Sequence, residues 1–281
     1  MPELPEVETV CRGLQKAIQG KKLVRLELRR RDMRFPFPKN LVAATSDTLI
    51  KNITRRAKYI LIHLDNGQII LVHLGMSGRL VIAEAKDKTQ PAKHDHVIFH
   101  LGGGTRVLFN DARRFGLVDL ATAETLPAHR FFAHLGPEPF DDTFTAKSFA
   151  QSLHNKKVAI KIAIMDQRVV VGVGNIYAAE ALFDAGIDPT RAAGSLTPAE
   201  TKKLWAAIRA VLTRAIKAGG SSIRDYVQTD GELGYFQHQW AVYDKQGEKC
   251  RKCTCPLQKT GGIKKIVQGG RSTFYCPTKQ K

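Results

Sequence analysis

Hydrophobic and polar positions divide the chain into a helical start, a long β-rich segment and a second helical region. Residues 5–19 place apolar side chains at i, i+3 and i+4 spacing, and Pro5 suits a first helical position, so a helix is predicted there. From residue 22 to about 120 the pattern changes to short alternating runs such as KLVRLELR, KYILIHLD and QIILVHLG, with a hairpin signal at Asn66-Gly67. A helix followed by many antiparallel strands predicts a β-sandwich or barrel.

The second half is predicted to be helical up to about residue 218. A segment rich in Pro, His and Phe, residues 125–145, indicates a connection. Three runs with helical periodicity follow, namely SFAQSLHNKKVAIKIAIMD, NIYAAEALFDAG and LTPAETKKLWAAIRAVLTRAIKAG, and Thr197 with Glu200 forms a capping box at the start of the last one. Residues 219–236 are rich in Gly and Ser and predict a mobile loop. The tail from residue 240 predicts short strands around cysteines.

The charge of the chain indicates the kind of partner. Lys and Arg total 44 against 26 Asp and Glu, which gives a formal net charge of +18 and favours a polyanion such as nucleic acid. The sequence contains no apolar run long enough to cross a membrane and no signal peptide, so a cytoplasmic, nucleoid-associated monomer is expected. Four of the five cysteines lie in the last 32 residues, and such clustering favours a metal site over disulfides.

The first ten residues, MPELPEVETV, gather three acidic side chains in a basic protein. If Met1 is removed, Pro2 becomes a secondary amine that can attack a carbonyl carbon such as C1′ of an opened sugar. The resulting iminium has no nitrogen proton to lose, so it stays cationic and acts as an electron sink. Glu3 and Glu6 lie one helical turn apart and could transfer protons. Alternatively, Glu3, Glu6 and Glu8 only complement the helix dipole.

Three further motifs carry candidate chemistry. VGVGNIYAAEALFDAG (171–186) places two glycines and Asn175 at a helix start, where backbone N–H groups can clamp a phosphate, although such glycines often serve packing alone. HLGMSGRL (73–80) and NDARRFG (110–116) end strands and offer Met76, Phe115 and Arg113 to fill the space left by an extruded base. Taken singly, Met76 and Phe115 are more typical of a core. RRAKY (55–59) adds a basic cluster with Lys58.

These motifs together resemble bacterial formamidopyrimidine-DNA glycosylase, in the family's order along nearly the whole chain. PELPEVETV, RRAKY, HLGMSGRL, NDARRFG, DQRVVVGVGNIYAAEALF and QGGRSTFYCP carry the resemblance. It implies an α+β protein with a helix-flanked antiparallel β-sandwich, a helix–two-turn–helix domain and a C-terminal zinc-finger-like hairpin. It also implies a bifunctional enzyme that excises 8-oxoguanine and formamidopyrimidines from duplex DNA and then nicks the strand by β,δ-elimination.

The resemblance also implies domain bounds and residue roles. The expected bounds are a catalytic domain over 1–125, a linker over 126–145, a DNA-binding domain over 146–238 whose loop 219–236 caps the lesion, and a hairpin over 239–281. The expected catalytic residues are Pro2 as nucleophile, Glu3 as acid, Lys58 near the lesion phosphate and Glu6 in support. The expected DNA contacts are Met76, Arg113 opposite the orphaned cytosine, Phe115, Asn175 and Arg271, with His94 and Tyr243 as further phosphate contacts.

The zinc site departs from the family's pattern of two C-x2-C pairs. Cys250 and Cys253 form the first pair, but Cys276 is followed by Lys279 where the fourth cysteine is expected. A charged ammonium cannot bind Zn²⁺. Cys255 or water as substitute ligand, a hairpin without metal, and a weakened finger all remain open. Two rival functions also remain open, an endonuclease VIII-like enzyme for oxidised pyrimidines and a non-enzymatic DNA-binding protein.

Overall fold

The protein divides into two compact units. A computed structural model describes residues 1–221, 234–251, 253 and 256–281. One unit comprises Met1–Ala133 with Ala218–Gln237, and the other comprises His134–Lys217 with His238–Lys281. Most of the predicted lesion-capping loop, residues 222–233, and the substitute ligand Cys255 lie outside the described residues.

The first unit is a helix-flanked antiparallel sheet. Its elements are α1 (Leu4–Ile18), β1 (Lys22–Leu28), α2 (Leu41–Thr45), β2 (Thr48–Arg56), β3 (Tyr59–Leu64), β4 (Gln68–His73), β5 (Arg79–Ala83), β6 (Asp95–Leu101), β7 (Arg106–Asn110) and β8 (Leu117–Thr122). The strand order is β5-β7-β6-β1-β2-β3-β4-β8. Strands β1 and β2 pair only at Lys22↔Leu49 and Leu23↔Thr48, so the sheet bends there into two four-stranded halves.

The core of this unit lies where the two halves of the sheet face each other. Alternate side chains of a strand point to one face, and the inward ones form a single apolar cluster. Helix α1 adds Leu14 to it, while Ile62 comes from β3 and Phe99 from β6, and all three are buried. The cluster confirms the predicted sandwich. The helix predicted over residues 5–19 is α1, which begins and ends one residue earlier.

The second unit contains the remaining helices and a hairpin. Its elements are α3 (Ala146–Leu153), α4 (Ile160–Met165), α5 (Asn175–Ala185), α6 (Pro198–Lys217), α7 (Leu257–Thr260), β9 (Lys264–Gln268) and β10 (Arg271–Tyr275). The run over 148–166 is interrupted after α3, where Asn155 adopts a left-handed φ of 58°, a conformation that asparagine tolerates better than most residues. The capping box of α6 is confirmed. The Thr197 N–H donates to the Glu200 carboxylate, and the Glu200 N–H donates to the Thr197 hydroxyl oxygen.

The cysteine-bearing hairpin turns sharply between β9 and β10. Gly269 and Gly270 have φ values of 53° and 70°, which two-residue type I′ turns require at both central positions. Together the two units establish the expected α+β class, with an antiparallel sheet first, then helices, then a hairpin with cysteines. Within the described ranges, every helix is too short or too polar to cross a membrane.

Candidate active site and nucleic-acid interface

The N-terminal turn of the first unit is organised by the Glu6 carboxylate. Pro2, Glu3 and Glu6 are all buried. Glu6 accepts the backbone N–H of Glu3 at 2.8 Å with one oxygen and the N–H of Ser221 at 2.7 Å with the other. Two backbone donors therefore hold a carboxylate that is only 2% exposed, which meets the requirement that a buried charge be hydrogen-bonded. The predicted nucleophile Pro2 is therefore followed directly by Glu3, whose backbone N–H is held by this carboxylate.

The base of the predicted lesion-capping loop lies against the same carboxylate. Ser221 forms a β-bridge with Tyr235, and the Phe236 N–H donates to the Gly220 carbonyl, so the two ends of the loop are held together. A Cβ at Gly220 would lie 3.0 Å from a Glu6 carboxylate oxygen and 3.2 Å from the Glu6 Cα. Glycine is thus required for this approach, and Glu6 joins the N-terminal turn to the loop base.

Lys58 lies in the two-residue turn that joins β2 and β3. Its neighbours Arg56 and Tyr59 form the last register pair of those strands. Burial, together with the positive charges of Lys58 and Arg34, lowers the pKa of His73 to about 4. Since Gly75 donates its N–H to His73 Nδ1 at 3.0 Å, the neutral ring carries its proton on Nε2. The sequence analysis did not select His73, although it belongs to HLGMSGRL.

The predicted wedge residues lie on two loops that pack against each other. Met76 is 40% exposed and Phe115 is 43% exposed, so neither belongs to the core. The Arg113 guanidinium lies over the Phe115 ring at 4.8 Å from its centroid. A Cβ at Gly75 would lie 2.4 Å from the Gly116 nitrogen, which shows how closely the two backbones approach. The structure therefore brings Met76, Arg113 and Phe115 together on one exposed surface.

A buried carboxylate that sequence reasoning missed holds these two loops. Asp111 is fully buried and accepts the Ser77 hydroxyl at 2.6 Å from the first loop. It also accepts the Gly116 N–H at 2.8 Å from the second loop. His94 lies beside Asp111, and its carbonyl accepts the Asp111 N–H at 2.9 Å. The motif NDARRFG contains this acidic residue, but the sequence does not show that it is buried or which groups it accepts.

In the second unit, a buried lysine organises the start of α5. Lys161 has no exposed surface, and its ammonium donates to Asn175 Oδ1 and Thr273 Oγ1, both at 2.6 Å, and to the Ser272 carbonyl at 3.2 Å. Asn175 Nδ2 in turn donates to the Ser272 carbonyl at 3.0 Å. These bonds fix Asn175 at the N-terminus of α5, where the positive end of the helix dipole favours an anion. Sequence reasoning missed Lys161, because a buried lysine looks like an exposed one in sequence.

Tyr243 and Arg271 lie beside Asn175. Asn175 Nδ2 approaches the Tyr243 hydroxyl at 3.4 Å, and Arg271 opens β10 immediately before Ser272. Glu180 on α5 accepts the backbone N–H groups of residues 241, 242 and 243, at 2.8, 2.9 and 2.9 Å. Burial raises the pKa of this carboxyl group, and the three backbone donors oppose that effect. Glu180 thereby holds the segment that presents Tyr243.

The cysteines of the second unit form a cluster that could hold a metal ion. The Sγ atoms of Cys250, Cys253 and Cys276 all lie within 4.8 Å of one another. Cys250 and Cys276 are free thiols, and thiolates gathered in this way are the ligands that Zn²⁺ prefers. The cluster also packs into an apolar core that includes Phe183 of α5 and Phe274 of β10. This core packs the hairpin against α5.

Lys279 does not complete the cysteine cluster. Its ammonium donates to the Phe183 carbonyl at 2.7 Å and lies 4.8 Å from the centroid of the Phe183 ring. This carbonyl belongs to the last turn of α5 and also accepts the Gly186 N–H at 3.1 Å, and a cation at this end of the helix complements its dipole. Gln280 adds a bond from Nε2 to the Ile187 carbonyl, and the Lys281 N–H donates to the Gly186 carbonyl. The residues at 279–281 thus do not fit a four-thiolate zinc site, and they tie the hairpin to α5.

The comparisons with known proteins identify the family of both units. The family model described as the formamidopyrimidine-DNA glycosylase N-terminal domain matches residues 1–118, and the model of that enzyme's H2TH domain matches residues 135–227. The chain is 50% identical over 281 residues to the formamidopyrimidine-DNA glycosylase of Rhodospirillum rubrum, and the match covers 100% of both chains. It is also 50% identical over 300 aligned residues to the enzyme of Sinorhizobium fredii, again over 100% of both.

Solved structures of the same kind are similar over the whole chain. A Lactococcus lactis Fpg variant in complex with Fapy-dG-containing DNA superposes with a TM-score of 0.90 at 33% identity, covering 100% of both chains. The MutM (Fpg) protein of Thermus thermophilus gives a TM-score of 0.86 at 36% identity, over 99% of this chain and 98% of that one. The wild-type L. lactis protein with DNA containing an oxidised pyrimidine gives 0.89 at 32%, over 100% of both.

The environment of His73 predicts its titration. Because its pKa is lowered from 6.5 to about 4, the ring should remain neutral at every pH above about 5, and stability should fall as the pH drops from about 6.5 to about 4, where only the unfolded chain takes up the proton. Imidazole resonances followed by NMR from pH 8 to pH 3 measure this directly. A His73 midpoint near 6.5 would contradict the buried, cation-flanked position.

The contacts of Lys279 predict that the hairpin is stable without metal. Lys279→Met keeps the aliphatic stem but loses the bond to the Phe183 carbonyl, and it should lower the free energy of unfolding by about 1–3 kcal/mol. Lys281→Met is the matched control, because that exposed ammonium donates to the carbonyl of Pro277, four residues before it, at 3.1 Å. Thermal denaturation of both variants, with and without a metal chelator, gives the comparison. A chelator that lowers the midpoint of the unsubstituted chain would show that metal holds the hairpin.

Proposed function

Because this chain belongs to the formamidopyrimidine-DNA glycosylase family, and is thus a DNA repair glycosylase and AP lyase, we propose that it excises oxidised purines from duplex DNA through a covalent intermediate on Pro2. The expected lesions are 8-oxoguanine and formamidopyrimidines. The observation that carries the proposal is the buried N-terminal turn, in which Glu6 holds the backbone directly after Pro2. The net charge of +18 supports a DNA partner.

The chemistry begins with the nitrogen of Pro2. Once Met1 is removed, this amine lies at the positive end of α1, which favours its neutral, nucleophilic form. It attacks C1′ of the damaged nucleotide, and the base leaves with the bonding electron pair and a proton. Glu3 protonates the ring oxygen as the sugar opens, which leaves an iminium on Pro2.

The iminium then drives strand cleavage. It withdraws electrons from the sugar, so that a C2′ proton becomes acidic and β-elimination expels the 3′ phosphate. A following δ-elimination expels the 5′ phosphate, and hydrolysis of the remaining imine frees Pro2. The covalent adduct supplies the activation, and Glu3 moves the protons with support from Glu6, which fixes its backbone.

Lys58 and His73 supply a cation and a neutral hydrogen-bond donor for the phosphates beside the lesion. The lowered pKa of His73 keeps Nε2 a neutral donor at physiological pH. A neutral donor beside an ammonium can bind a phosphate oxygen without adding a second positive charge. This pairing supports the assignment of Lys58 as a catalytic lysine.

The exposed residues on the two packed loops act on the opposite strand. Met76 and Phe115 are the wedges that occupy the space of the extruded nucleotide, and Arg113 reads the orphaned cytosine. Their exposure supports this role, because apolar side chains of this size usually avoid water. His94 is a further backbone contact of the same unit.

The cluster around Asn175 binds the DNA backbone. Asn175 and Arg271 grip phosphates around the flipped nucleotide, Tyr243 adds a hydroxyl, and the start of α5 adds backbone N–H groups. Lys161 holds the Asn175 side chain in position and adds positive charge to the site.

The proposed roles divide along the chain into four segments. They are a catalytic domain over 1–125, a linker over 126–145, a DNA-binding domain over 146–238 with the capping loop 219–236, and a hairpin over 239–281.

The hairpin is the candidate metal site, and zinc is the metal that cysteines in this arrangement suit. Cys250, Cys253 and Cys276 would hold it, with the fourth position left to water or to Cys255, which lies outside the described residues. A zinc ion there would fix the hairpin that carries Arg271. The protein is proposed to act as a cytoplasmic, nucleoid-associated monomer.

A second candidate activity is the excision of oxidised pyrimidines. The wild-type L. lactis protein, 32% identical to this chain, has been crystallised with DNA containing such a base. The same Pro2 chemistry serves either lesion, because the attack is on the sugar and the base only has to leave. Substrate preference is therefore decided by the pocket for the base.

Trapping of the iminium tests the nucleophile. Borohydride should reduce the intermediate to a stable protein–DNA adduct on a duplex that contains 8-oxoguanine opposite cytosine. Pro2→Gly should abolish the adduct, because a primary amine forms an imine that can lose its proton and its positive charge. Intact mass of the purified chain should show that Met1 is absent.

Pro91→Gly is the matched control for the trapping experiment, since this proline lies away from α1, between β5 and β6. Unchanged trapping is expected for it. An adduct that survives Pro2→Gly would show that another amine is the nucleophile. Stronger trapping on a thymine glycol duplex would favour the pyrimidine activity, and tight binding without any adduct would overturn the proposed chemistry.

Arg113→Ala should relax the preference for the opposite base. A bidentate guanidinium contact to a base contributes about 1–3 kcal/mol of discrimination, so the preference for cytosine over adenine opposite the lesion should fall by about 5- to 150-fold. Arg114→Ala is the matched control, because Arg114 is the equally exposed next residue. Single-turnover excision rates on the two duplexes give the ratio. An unchanged ratio for Arg113→Ala would assign the discrimination to another residue.

A further inference from the structure

The turn that carries Lys58 is held in an unfavourable backbone conformation. Ala57 precedes Lys58 and has a φ of 54°, in the left-handed region that glycine adopts freely and alanine does not. A side chain in this region places Cβ too close to the following carbonyl oxygen, so the conformation is unfavourable for alanine. Such strain persists only where the surroundings fix the conformation, and it occurs preferentially at functional sites. Contacts around Ala57 must therefore stabilise this turn.

The guanidinium of Arg55 provides one of those contacts. Its Nη1 donates to the Ala57 carbonyl at 2.9 Å, and its Nε donates to Glu8 Oε2 at 2.9 Å. The Arg55 side chain is only 10% exposed, so both bonds are largely removed from water. Hydrogen bonds to ionised groups are stronger than neutral ones, and water competes little with them here.

Glu8 connects this guanidinium to α1. Its other oxygen accepts the Arg12 Nε at 2.8 Å, but the Arg12 side chain is 59% exposed. Burial raises the pKa of Glu8, and the two guanidinium groups outweigh that effect and lower it overall. Glu8 is consequently ionised at neutral pH, and its buried partner Arg55 is the one that reaches the turn.

We propose that Glu8 and Arg55 are positioning residues for Lys58, an inference that rests on the proposed catalytic role of Lys58. The peptide group between Ala57 and Lys58 is planar, so a bond that fixes the Ala57 carbonyl also fixes the Lys58 N–H and Cα. The sequence of contacts runs from the Glu8 carboxylate through the Arg55 guanidinium to that peptide plane. Helix α1 therefore holds both Pro2 at its start and, through Glu8, the lysine that works beside it.

A double-mutant cycle on the full-length protein tests the inference. Arg55→Met removes both bonds, and Arg55→Lys keeps a positive charge near Glu8 but loses the planar fork in which Nε and Nη1 each meet one acceptor. Single-turnover excision on a duplex with 8-oxoguanine opposite cytosine should be about 10- to 100-fold slower for each, the loss expected for a catalytic group displaced by about 1 Å. In a Lys58→Met background, the same Arg55 substitutions should cause little further loss, because residues that act as one unit are not additive.

Arg12→Gln is the matched control. It removes the exposed partner of Glu8 and leaves the Arg55 pair in place, so its excision rate should equal that of the unsubstituted chain. Thermal denaturation of every variant identifies any that fail to fold, and Arg55→Lys then stands in for Arg55→Met.

The outcomes separate this inference from the proposed function. If Lys58→Met is as fast as the unsubstituted chain, the proposed role of Lys58 is wrong. If Lys58→Met is slow but the Arg55 variants are fast, Lys58 does not depend on Arg55. Losses from Lys58→Met and Arg55→Lys that simply add would also overturn the inference, because they would show that the two residues act separately.

Discussion

The functional parts of this protein depend on buried carboxylates that accept backbone N–H groups. A buried charge must be hydrogen-bonded, and a backbone donor that satisfies it becomes fixed in return. Glu6 holds the N-terminal turn and the base of the capping loop, and Asp111 holds the two loops that carry the wedges. Glu180 does the same for the segment with Tyr243. Acidic residues thus position the sites of a strongly basic protein.

In the second unit a buried cation, rather than a carboxylate, holds the residues proposed to bind phosphate. Lys161 has three oxygen acceptors among the described residues, and they come from the start of α5 and from β10. One ammonium therefore sets the position of Asn175 relative to the strand that Arg271 opens. At the other end of α5, Lys279 and its neighbours tie down the same hairpin. A hairpin fixed at both ends of one helix needs less help from a metal than a finger that folds around an ion.

The sequence alone predicted most of the elements and supplied the residues proposed to touch DNA or sugar. Period-2 alternation predicted the strands, and capping residues predicted α1 and α6. The ordered motifs predicted the site residues Pro2, Lys58, Arg113 and Asn175. These signals are local, since each depends on residues a few positions apart. The break between α3 and α4 was missed, because the apolar periodicity continues through residues that leave the helix at Asn155.

Only the tertiary structure decided which residues support those sites. Glu6 and Ser221 are 215 positions apart, and Lys161 and Thr273 are 112 apart, so no window of sequence contains both partners. Composition identifies an acid or a lysine, but burial and the partner decide whether it is a solvated charge or a fixed support. The same holds for Lys279. The sequence shows that it cannot bind zinc, and the fold shows that its ammonium binds a carbonyl in the last turn of α5, where a cation complements the helix dipole.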